Sequence, residues 1–170
     1  MLVPKKKVPH LEVPLINDTQ WSLEAQRSET FTLITFYRGL HCPICKKHLE
    51  GLAKHLKAFS ERGVNLIAIS CDGEAKAKEA GEKWNIPELP IGYGLKPETA
   101  KEWGLFLSKG ISEDEPKTFS EPGLFLIRPD QTLYASSIQT MPFARPQWKE
   151  ILEAVDYVKD KDYPARGGAS

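Results

Sequence analysis

Apolar residues along the chain follow two alternating patterns, one typical of buried strands and one typical of amphipathic helices. Residues 30–37 (TFTLITFY) are rich in β-branched and aromatic side chains, the pattern of a central strand covered on both faces. From Pro43 the apolar positions recur at spacings of four and three and end before Gly63. They are Cys45, Leu49, Leu52, Leu56 and Phe59. This stripe predicts a helix beginning at Pro43, where the missing proline N–H would be unpaired anyway.

The same alternation continues through the middle of the chain. Residues 64–70 have the pattern of a second buried strand, and residues 74–84 have that of a second helix, which Pro87 ends. Residues 97–103 fit a short helix opened by a proline. Strands that alternate with helices favour right-handed crossovers and a sheet that is at least partly parallel.

Hairpins and one further helix are predicted towards the two ends. In residues 11–23, proline and turn-forming residues separate the apolar positions, which suggests a short strand or hairpin. Residues 123–127 and 132–138 flank a turn and predict a second hairpin. Residues 110–117 are acidic and poor in apolar side chains, as in an exposed loop. Pro146 opens a last helix, whose apolar face should pack on the sheet.

Length and composition fit one domain. We expect a single domain over residues 1–170, with a core at about 13–160 and irregular ends at 1–12 and 161–170. Lysine plus arginine and aspartate plus glutamate each total 23, and the charges are interspersed, so no nucleic-acid or membrane partner is predicted. No apolar stretch has the length of a signal peptide or a membrane span, which predicts a cytoplasmic protein.

The candidate chemistry is concentrated in CPIC at residues 42–45, where the predicted central strand meets the predicted helix. The first peptide N–H groups of a helix favour a thiolate, and Cys42 falls at the N-cap, with Arg38 and His41 close by as further positive charge. Cys45, inside the first turn, is better shielded. We therefore predict that Cys42 attacks an oxidant or a substrate disulfide, and that Cys45 resolves the intermediate to a Cys42–Cys45 disulfide.

Other interpretations of the cysteines stay open at this point. The pair can be two buried small side chains, or it can bind a metal ion, because Cys42, Cys45 and His48, with His41 adjacent, are soft or borderline ligands. The third cysteine, Cys71, ends the second predicted strand. We expect it to be buried, although the carboxyl end of that strand could bring it to the same edge as Cys42.

Three segments resemble known proteins. FYRGLHCPICKKHLEGL (residues 36–52) resembles the active-site segment of the peroxiredoxin-like, AhpC/TSA-type branch of the thioredoxin superfamily. EPGLFLIRPDQTLYASSIQTMPFARP (residues 121–146) and DYPARG (residues 162–167) resemble the C-terminal half of the same bacterial proteins. The resemblance implies an α/β, thioredoxin-like fold with a central mixed β-sheet and helices on both faces.

The family pattern also implies features of the site. In the thioredoxin fold a cis-proline precedes the strand that faces the cysteines, and Pro122 is at the matching place, where its backbone would bind substrate beside Cys42. Typical peroxiredoxins carry Pro-x-x-x-Thr-x-x-Cys. Counted back from Cys42, the proline and threonine positions hold Thr35 and Gly39.

Typical peroxiredoxins also use a distant arginine to hold the peroxide oxygens. The candidates for this cation are Arg38, Arg128 and Arg145, of which only Arg38 is placed by its motif. The sequence does not separate the other two, because both lie far from the cysteines along the chain.

The sequence therefore predicts a thiol-disulfide oxidoreductase, a peroxiredoxin-like antioxidant protein in which Cys42 and Cys45 reduce peroxides or protein disulfides with support from Arg38 and Pro122. No metal or organic cofactor is expected. Electrons would come from a thiol donor such as a thioredoxin- or glutathione-type reductant, and a homodimer is a candidate assembly. The alternative is a metal-binding or redox-sensing thioredoxin-fold protein without turnover, with Met141 to Phe143 as a docking patch.

Overall fold

A five-stranded mixed sheet forms the centre of the fold, and its middle strand is the apolar run that opens the sequence pattern. The computed structural model describes residues 1–169. Its strands are β1 (Glu12–Pro14), β2 (Gln20–Ser22), β3 (Phe31–Phe36), β4 (Val64–Ile69), β5 (Ile91–Gly92), β6 (Leu107–Lys109), β7 (Thr118–Ser120), β8 (Gly123–Ile127) and β9 (Leu133–Ile138). The central sheet has the order β5-β4-β3-β8-β9, with β4 parallel to β3 and β5, and β8 antiparallel to β3 and β9.

Helices cover both faces of this sheet, as predicted. They are α1 (Pro43–Ala53), α2 (Leu56–Glu61), α3 (Glu74–Lys83), α4 (Pro97–Glu102) and α5 (Trp148–Lys161). Leu49 of α1, Phe59 of α2 and Val155 of α5 belong to the apolar cluster on one face. Ala100 of α4 belongs to the cluster on the other face, together with the buried side chains of the β1–β2 hairpin.

Every residue of β3 is buried, because the strand contributes to both clusters. Leu33 points into the cluster that contains α1, whereas its neighbour Ile34 points into the opposite one. Burial of such a side chain stabilises the fold by roughly 1.5–3 kcal/mol. The prediction of a central strand covered on both faces is therefore confirmed, and this strand fixes where the following loop and α1 begin.

Local details differ from the sequence-based expectation in two places. The single predicted helix is two helices, because the backbone at His55, with φ of −111° and ψ of 8°, leaves the helical region between α1 and α2. The last helix begins at Trp148 instead of Pro146, since Gln147 and Glu150 form a capping box at its start. Phe59 is nonetheless buried as the apolar stripe predicts.

Two further features were not predicted. The short strands β6 and β7 pair around the exposed loop, and their three residues each are too few to give a pattern. The N-terminal segment lies along β9, where the Lys5 N–H donates to the Leu133 carbonyl (2.8 Å) and the Leu133 N–H donates to the Lys6 carbonyl (3.0 Å). Among residues 1–169, no helix is long and apolar enough to cross a bilayer.

Candidate active site

Cys42 and Cys45 lie at the start of α1, directly after the loop that leaves the end of β3. Cys42 is the N-cap, and Pro43 occupies the first turn of the helix. The Cys45 N–H donates to the Cys42 sulfur over 3.1 Å. One otherwise unpaired N–H of the helix start is thereby satisfied by sulfur, which favours negative charge at Cys42 in the reduced protein.

The two sulfur atoms lie at disulfide-bonding distance, and their Cα atoms are 5.2 Å apart. This agrees with the predicted pairing of the two residues. Both side chains are buried, with Cys42 2% exposed and Cys45 0% exposed. Pro43 and Ile44, which lie between them in the sequence, are exposed. A large partner can therefore reach either sulfur only when the first turn of α1 moves.

Arg145 is the arginine that the fold brings to the cysteine pair. Its Nη2 donates to the Cys45 sulfur over 3.0 Å, although the two residues are 100 positions apart in sequence. Burial and the nearby charge of Arg38 together lower the pKa of Arg145 to about 10, although Glu121 opposes them, so the guanidinium stays charged at neutral pH. Its Nε and Nη1 are buried without a hydrogen-bond partner in the described part of the chain.

Arg38, the cation that the sequence motif favours, is committed to a different partner. Its Nε and Nη2 donate to the two carboxylate oxygens of Glu121, each over 2.9 Å. The Glu121 side chain is 2% exposed and also accepts from the Ser108 hydroxyl over 2.6 Å. The Arg38 guanidinium carbon lies 5.1 Å from the centre of the Phe119 ring. The charge of Arg38 is therefore balanced by a carboxylate.

Arg128, the third candidate cation, lies at the other end of the sheet. It follows the last residue of β8, which pairs near the beginning of β3, whereas Cys42 follows the end of β3. Its guanidinium lies over the Tyr134 ring, 4.7 Å from the ring centre. Of the three arginines, the fold thus brings only Arg145 into contact with a sulfur of the pair.

The loop before Cys42 is held by a buried carboxylate. The Leu40 N–H donates to Asp72 Oδ2 over 2.8 Å. Gly39 has φ of +136°, and a side chain there would place its Cβ 2.6 Å from Asp72 Oδ1. Burial raises the pKa of Asp72, and the N–H of Leu40 partly offsets this effect. Glycine at position 39 lets the carboxylate approach the backbone of the loop.

His41 does not supply the positive charge that the sequence suggests. Its ring packs edge-on against Phe119 at a centroid distance of 4.8 Å. Burial lowers the pKa of His41, although Asp72 and Glu115 raise it in part. The ring is therefore neutral at pH 7, and neither ring nitrogen has a partner among residues 1–169.

The expected cis-proline at Pro122 is wrong. No cis peptide bond occurs in residues 1–169, so the bond before Pro122 is trans. The trans form is favoured by about 0.5–1 kcal/mol unless tertiary contacts demand otherwise. Here the Glu121 N–H donates to the Phe106 carbonyl (2.8 Å), and the Pro122 carbonyl accepts from the Gln139 N–H (2.9 Å). These backbone bonds hold the trans chain in line with β8.

Cys71 is a free cysteine that follows β4, as the sequence predicts. It is half-buried, whereas the sequence predicts burial. Burial raises the pKa of its thiol, which disfavours the reactive thiolate.

As for the metal interpretation, residues 1–169 contain no group of three or more His, Cys, Asp or Glu side chains arranged to hold an ion. His48 instead faces the Pro146 carbonyl, 3.2 Å from Nε2.

An apolar groove of about 360 Å³ lies beside the pair, between α1 and the segment before α5. Its walls include Ile44, Pro142, Phe143, Arg145 and Trp148. Ile44 and Phe143 are 44% and 55% exposed, respectively. The residue whose guanidinium contacts Cys45 therefore also lines a solvent-facing groove.

Comparison with known proteins gives the chain its family. The model of the AhpC/TSA family matches residues 4–136. The chain belongs to the AhpC/TSA family. The matched region contains the cysteine pair and all nine strands except the last two residues of β9.

Curated relatives of this AhpC/TSA protein are plant 1-Cys peroxiredoxins. The chain is 25% identical over 138 residues to 1-Cys peroxiredoxin A of Oryza sativa, covering 75% of this chain and 60% of the relative. It is 23% identical over 155 residues to the 1-Cys peroxiredoxin of Medicago truncatula, covering 88% and 69%. A shorter match, 32% over 72 residues, covers 42% of the chain and 33% of PER1 of Arabidopsis thaliana. The chain thus spans between one third and about two thirds of these relatives.

Solved structures confirm the thioredoxin-like fold of the AhpC/TSA chain. A cysteine-to-serine mutant of Peroxiredoxin 6 from Arenicola marina matches with a TM-score of 0.78 and 22% identity, over 94% of this chain and 74% of that one. Prx3 from Vibrio vulnificus, solved in complex with H2O2, matches with a TM-score of 0.76 and 15% identity, over 91% and 99%. BcpB from Mycobacterium tuberculosis matches with 0.75 and 18%, over 93% and 99%.

Sequence reasoning missed the parts that Glu121, Asp72 and His48 play in the AhpC/TSA site. No sequence pattern assigns a role to Glu121 or Asp72, and His48 enters only as a candidate metal ligand. The one signal in the sequence is its spacing of three from Cys45, which puts both side chains on one face of α1.

Proposed function

We propose that this chain is a thiol-dependent oxidoreductase that reduces peroxides with the Cys42 and Cys45 thiols and is regenerated by a thiol donor. The observation that carries the proposal is the Arg145 guanidinium 3.0 Å from the Cys45 sulfur, within a pair at disulfide-bonding distance. Membership of the AhpC/TSA family and the likeness to a peroxiredoxin solved with H2O2 support the choice of a peroxide as oxidant.

The surroundings of the two sulfurs favour Cys45 as the one that attacks the peroxide. A cation in contact with a sulfur stabilises its thiolate. Counted back from Cys45 instead of Cys42, the threonine position of the family pattern is Cys42 itself, and the proline position is Arg38. The unpaired Nε and Nη1 of Arg145 can donate to the oxygens of a peroxide that passes the groove and reaches these buried atoms.

The proposed oxidation has two balanced steps. The Cys45 thiolate attacks one oxygen of the peroxide, an S–O bond forms, the O–O bond breaks, and the alcohol or water leaves after taking up a proton. Sulfur is oxidised to a sulfenic acid, and the peroxide is reduced by two electrons. The Cys42 thiol then displaces the hydroxyl group of the Cys45 sulfenic acid, which forms the disulfide and releases water.

Regeneration uses the opposite end of the pair. When the first turn of α1 moves, a donor thiolate attacks Cys42, the less completely buried of the two residues, and forms a mixed disulfide while Cys45 leaves as a thiolate. The leaving thiolate returns to Arg145, and a stable thiolate is a good leaving group. A second donor thiol then releases Cys42 as the free thiol and carries away the donor disulfide.

The order predicted from sequence, in which Cys42 attacks first and Cys45 resolves, stays the second candidate. The hydrogen bond from the Cys45 N–H to the Cys42 sulfur favours it, because this bond and the helix dipole stabilise a thiolate at the N-cap. This order suits exchange with protein disulfides, in which the partner meets the outer sulfur first. Both orders share the same disulfide product.

A turnover assay tests the function. Reduced protein is given H2O2, an alkyl hydroperoxide or a protein disulfide, each with excess dithiol. We expect peroxide consumption well above the rate without protein, loss of turnover in Cys45→Ser, slower turnover in Cys42→Ser, where the added dithiol must reduce the Cys45 sulfenic acid directly, and full turnover in the matched control Cys71→Ser. Consumption no faster than without protein, or wild-type turnover by both active-pair variants, would overturn the proposal.

Three predictions about the setting accompany the function. A thioredoxin- or glutathione-type reductant is the proposed donor, and comparing the two in the turnover assay identifies it. A homodimer is the proposed assembly, which sedimentation of the reduced and oxidised protein tests. A reducing compartment such as the cytoplasm is the proposed location, because a catalytic cysteine pair needs a supply of thiol donor.

A further inference from the structure

The segment that carries Arg145 has no regular secondary structure. Residues 139–147 form neither a helix nor a strand. From residue 140 to residue 146, the described structure contains just two hydrogen bonds to other elements. One joins Arg145 to the Cys45 sulfur, and the other joins the Pro146 carbonyl to Nε2 of His48 over 3.2 Å. The position of the Arg145 guanidinium therefore depends on the hydrogen bond that His48 makes with the next residue, Pro146.

His48 also contacts Trp148, the first residue of α5, which lies on the other side of Gln147 from Pro146. The carbonyl of His48 accepts from the Trp148 indole N–H over 2.7 Å, and the two rings pack at a centroid distance of 4.3 Å with an angle of 33° between their planes. A Cβ at Gly51 would lie 3.3 Å from Trp148 Cδ1, so glycine there admits the indole. Residues 48–51 of α1 therefore contact the chain on both sides of Gln147, at Pro146 and at Trp148. His48 lies about one helical turn from Cys45.

The chemistry of the ring fits this role at neutral pH. A carbonyl oxygen can only accept, so His48 Nε2 carries the proton and donates it to Pro146. Burial and the charge of Arg145 together lower the pKa of His48 to about 4, although the hydrogen bond to Pro146 opposes them, so the ring is neutral at pH 7. A neutral donor can hold the segment beside the guanidinium without repelling it, which a lysine or arginine at the same place could not do.

We propose that His48 is a positioning residue, which sets the contact between Arg145 and the Cys45 sulfur through its hydrogen bond to Pro146. This inference rests on the proposed function for its catalytic meaning, but the positioning itself is measured without turnover. His48 need not touch the peroxide or either sulfur. His48 acts on the Cys45 sulfur indirectly, because it sets the position of the Arg145 guanidinium.

The experiment reads the ionisation of Cys45 directly. In a Cys42→Ser, Cys71→Ser background, Cys45 is the remaining thiol, and the ultraviolet absorbance of its thiolate is followed against pH. Arg145→Met should move the midpoint up by roughly 1–3 pH units. His48→Phe, which keeps an aromatic ring but lacks the donor, should move it in the same direction and at least half as far. His48→Gln, which keeps an N–H donor, should restore most of the midpoint.

Two controls separate positioning from a general loss of structure. His55→Phe makes the same chemical change at a side chain without a cap hydrogen bond, and should leave the midpoint unchanged. His48→Phe added to Arg145→Met should cause no further shift, because the guanidinium that it positions is gone. An unchanged midpoint in His48→Phe, or an equal shift in the Arg145→Met background, would overturn the inference. A lack of turnover with these midpoints as expected would refute only the proposed function.

Discussion

Arg145 contacts the Cys45 sulfur, not the Cys42 sulfur that the sequence pattern singles out. The Cys42 sulfur accepts instead from the peptide N–H of Cys45. The two thiols of one short motif therefore depend on different sources of positive charge, a side chain for Cys45 and the helix start for Cys42. This asymmetry is the physical basis for giving the two sulfurs different roles.

Replacing Arg145 should separate activity from stability. Arg145→Met removes the charge beside Cys45, so we expect peroxide consumption at pH 7 to fall about ten-fold or more. The guanidinium also leaves two buried nitrogens, Nε and Nη1, without a partner among residues 1–169, and removing them should leave the free energy of unfolding unchanged or raise it by up to about 2 kcal/mol. Stopped-flow peroxide reduction and urea unfolding measure the two effects. A large loss of stability would show that the arginine is structural.

Breaking the Arg38–Glu121 pair should be costly to the fold. Glu121→Leu leaves the Arg38 charge largely buried without its partner, so we expect a loss of about 3–5 kcal/mol in urea unfolding. The double variant Arg38→Met, Glu121→Leu should cost clearly less, because no unpaired charge is left.

The exposed pair of Arg62 and Asp156 is the matched control for that result. Asp156→Ala should change the unfolding midpoint little, since solvent already screens both charges. Equal losses for Glu121→Leu and for the double variant would contradict the interpretation of Arg38–Glu121 as a mutually dependent pair.

Asp72 should make stability depend on pH. Burial raises the pKa of Asp72 in the folded protein, so the folded state binds this proton more tightly than the unfolded state. The contribution of the group to stability is therefore fully present below the unfolded pKa and is lost as pH rises through the higher folded pKa. Relative to Asp72→Asn, the wild type should lose stability as pH rises from about 4 towards neutrality. The exposed Asp114→Asn should show no such trend; the same trend there would contradict the assignment.

Gly39→Ala should disturb the loop that places Cys42. The positive φ and the close approach of Asp72 both oppose a side chain at this position. We expect a loss of about 1–3 kcal/mol in unfolding free energy and slower disulfide formation after peroxide addition. Gly73→Ala is a suitable control, because nothing lies within 4 Å of a Cβ built there. Wild-type stability in Gly39→Ala would contradict this account of the loop.

Local patterns were enough to predict the frame of this molecule. The strand through Ile34 and the helix start at Pro43 depend on neighbours within a few residues, so period and capping reveal them. The contacts of Arg145 and Glu121 could not be predicted from local patterns, because each joins residues far apart in sequence. Arg145 and Cys45 are 100 positions apart, and Arg38 and Glu121 are 83 positions apart. The trans bond at Pro122 could not be predicted either, since backbone partners on two other segments decide it.

Trapping the sulfenic acid shows which of the two cysteines attacks the peroxide. One equivalent of H2O2 is added to reduced Cys42→Ser, Cys71→Ser protein and to reduced Cys45→Ser, Cys71→Ser protein, each with a dione that captures sulfenic acids, and the adduct is located by peptide mass spectrometry. We expect an adduct on Cys45 in the first protein and little or none on Cys42 in the second. An adduct that forms faster on Cys42 would contradict the role of Arg145 and restore the order predicted from sequence.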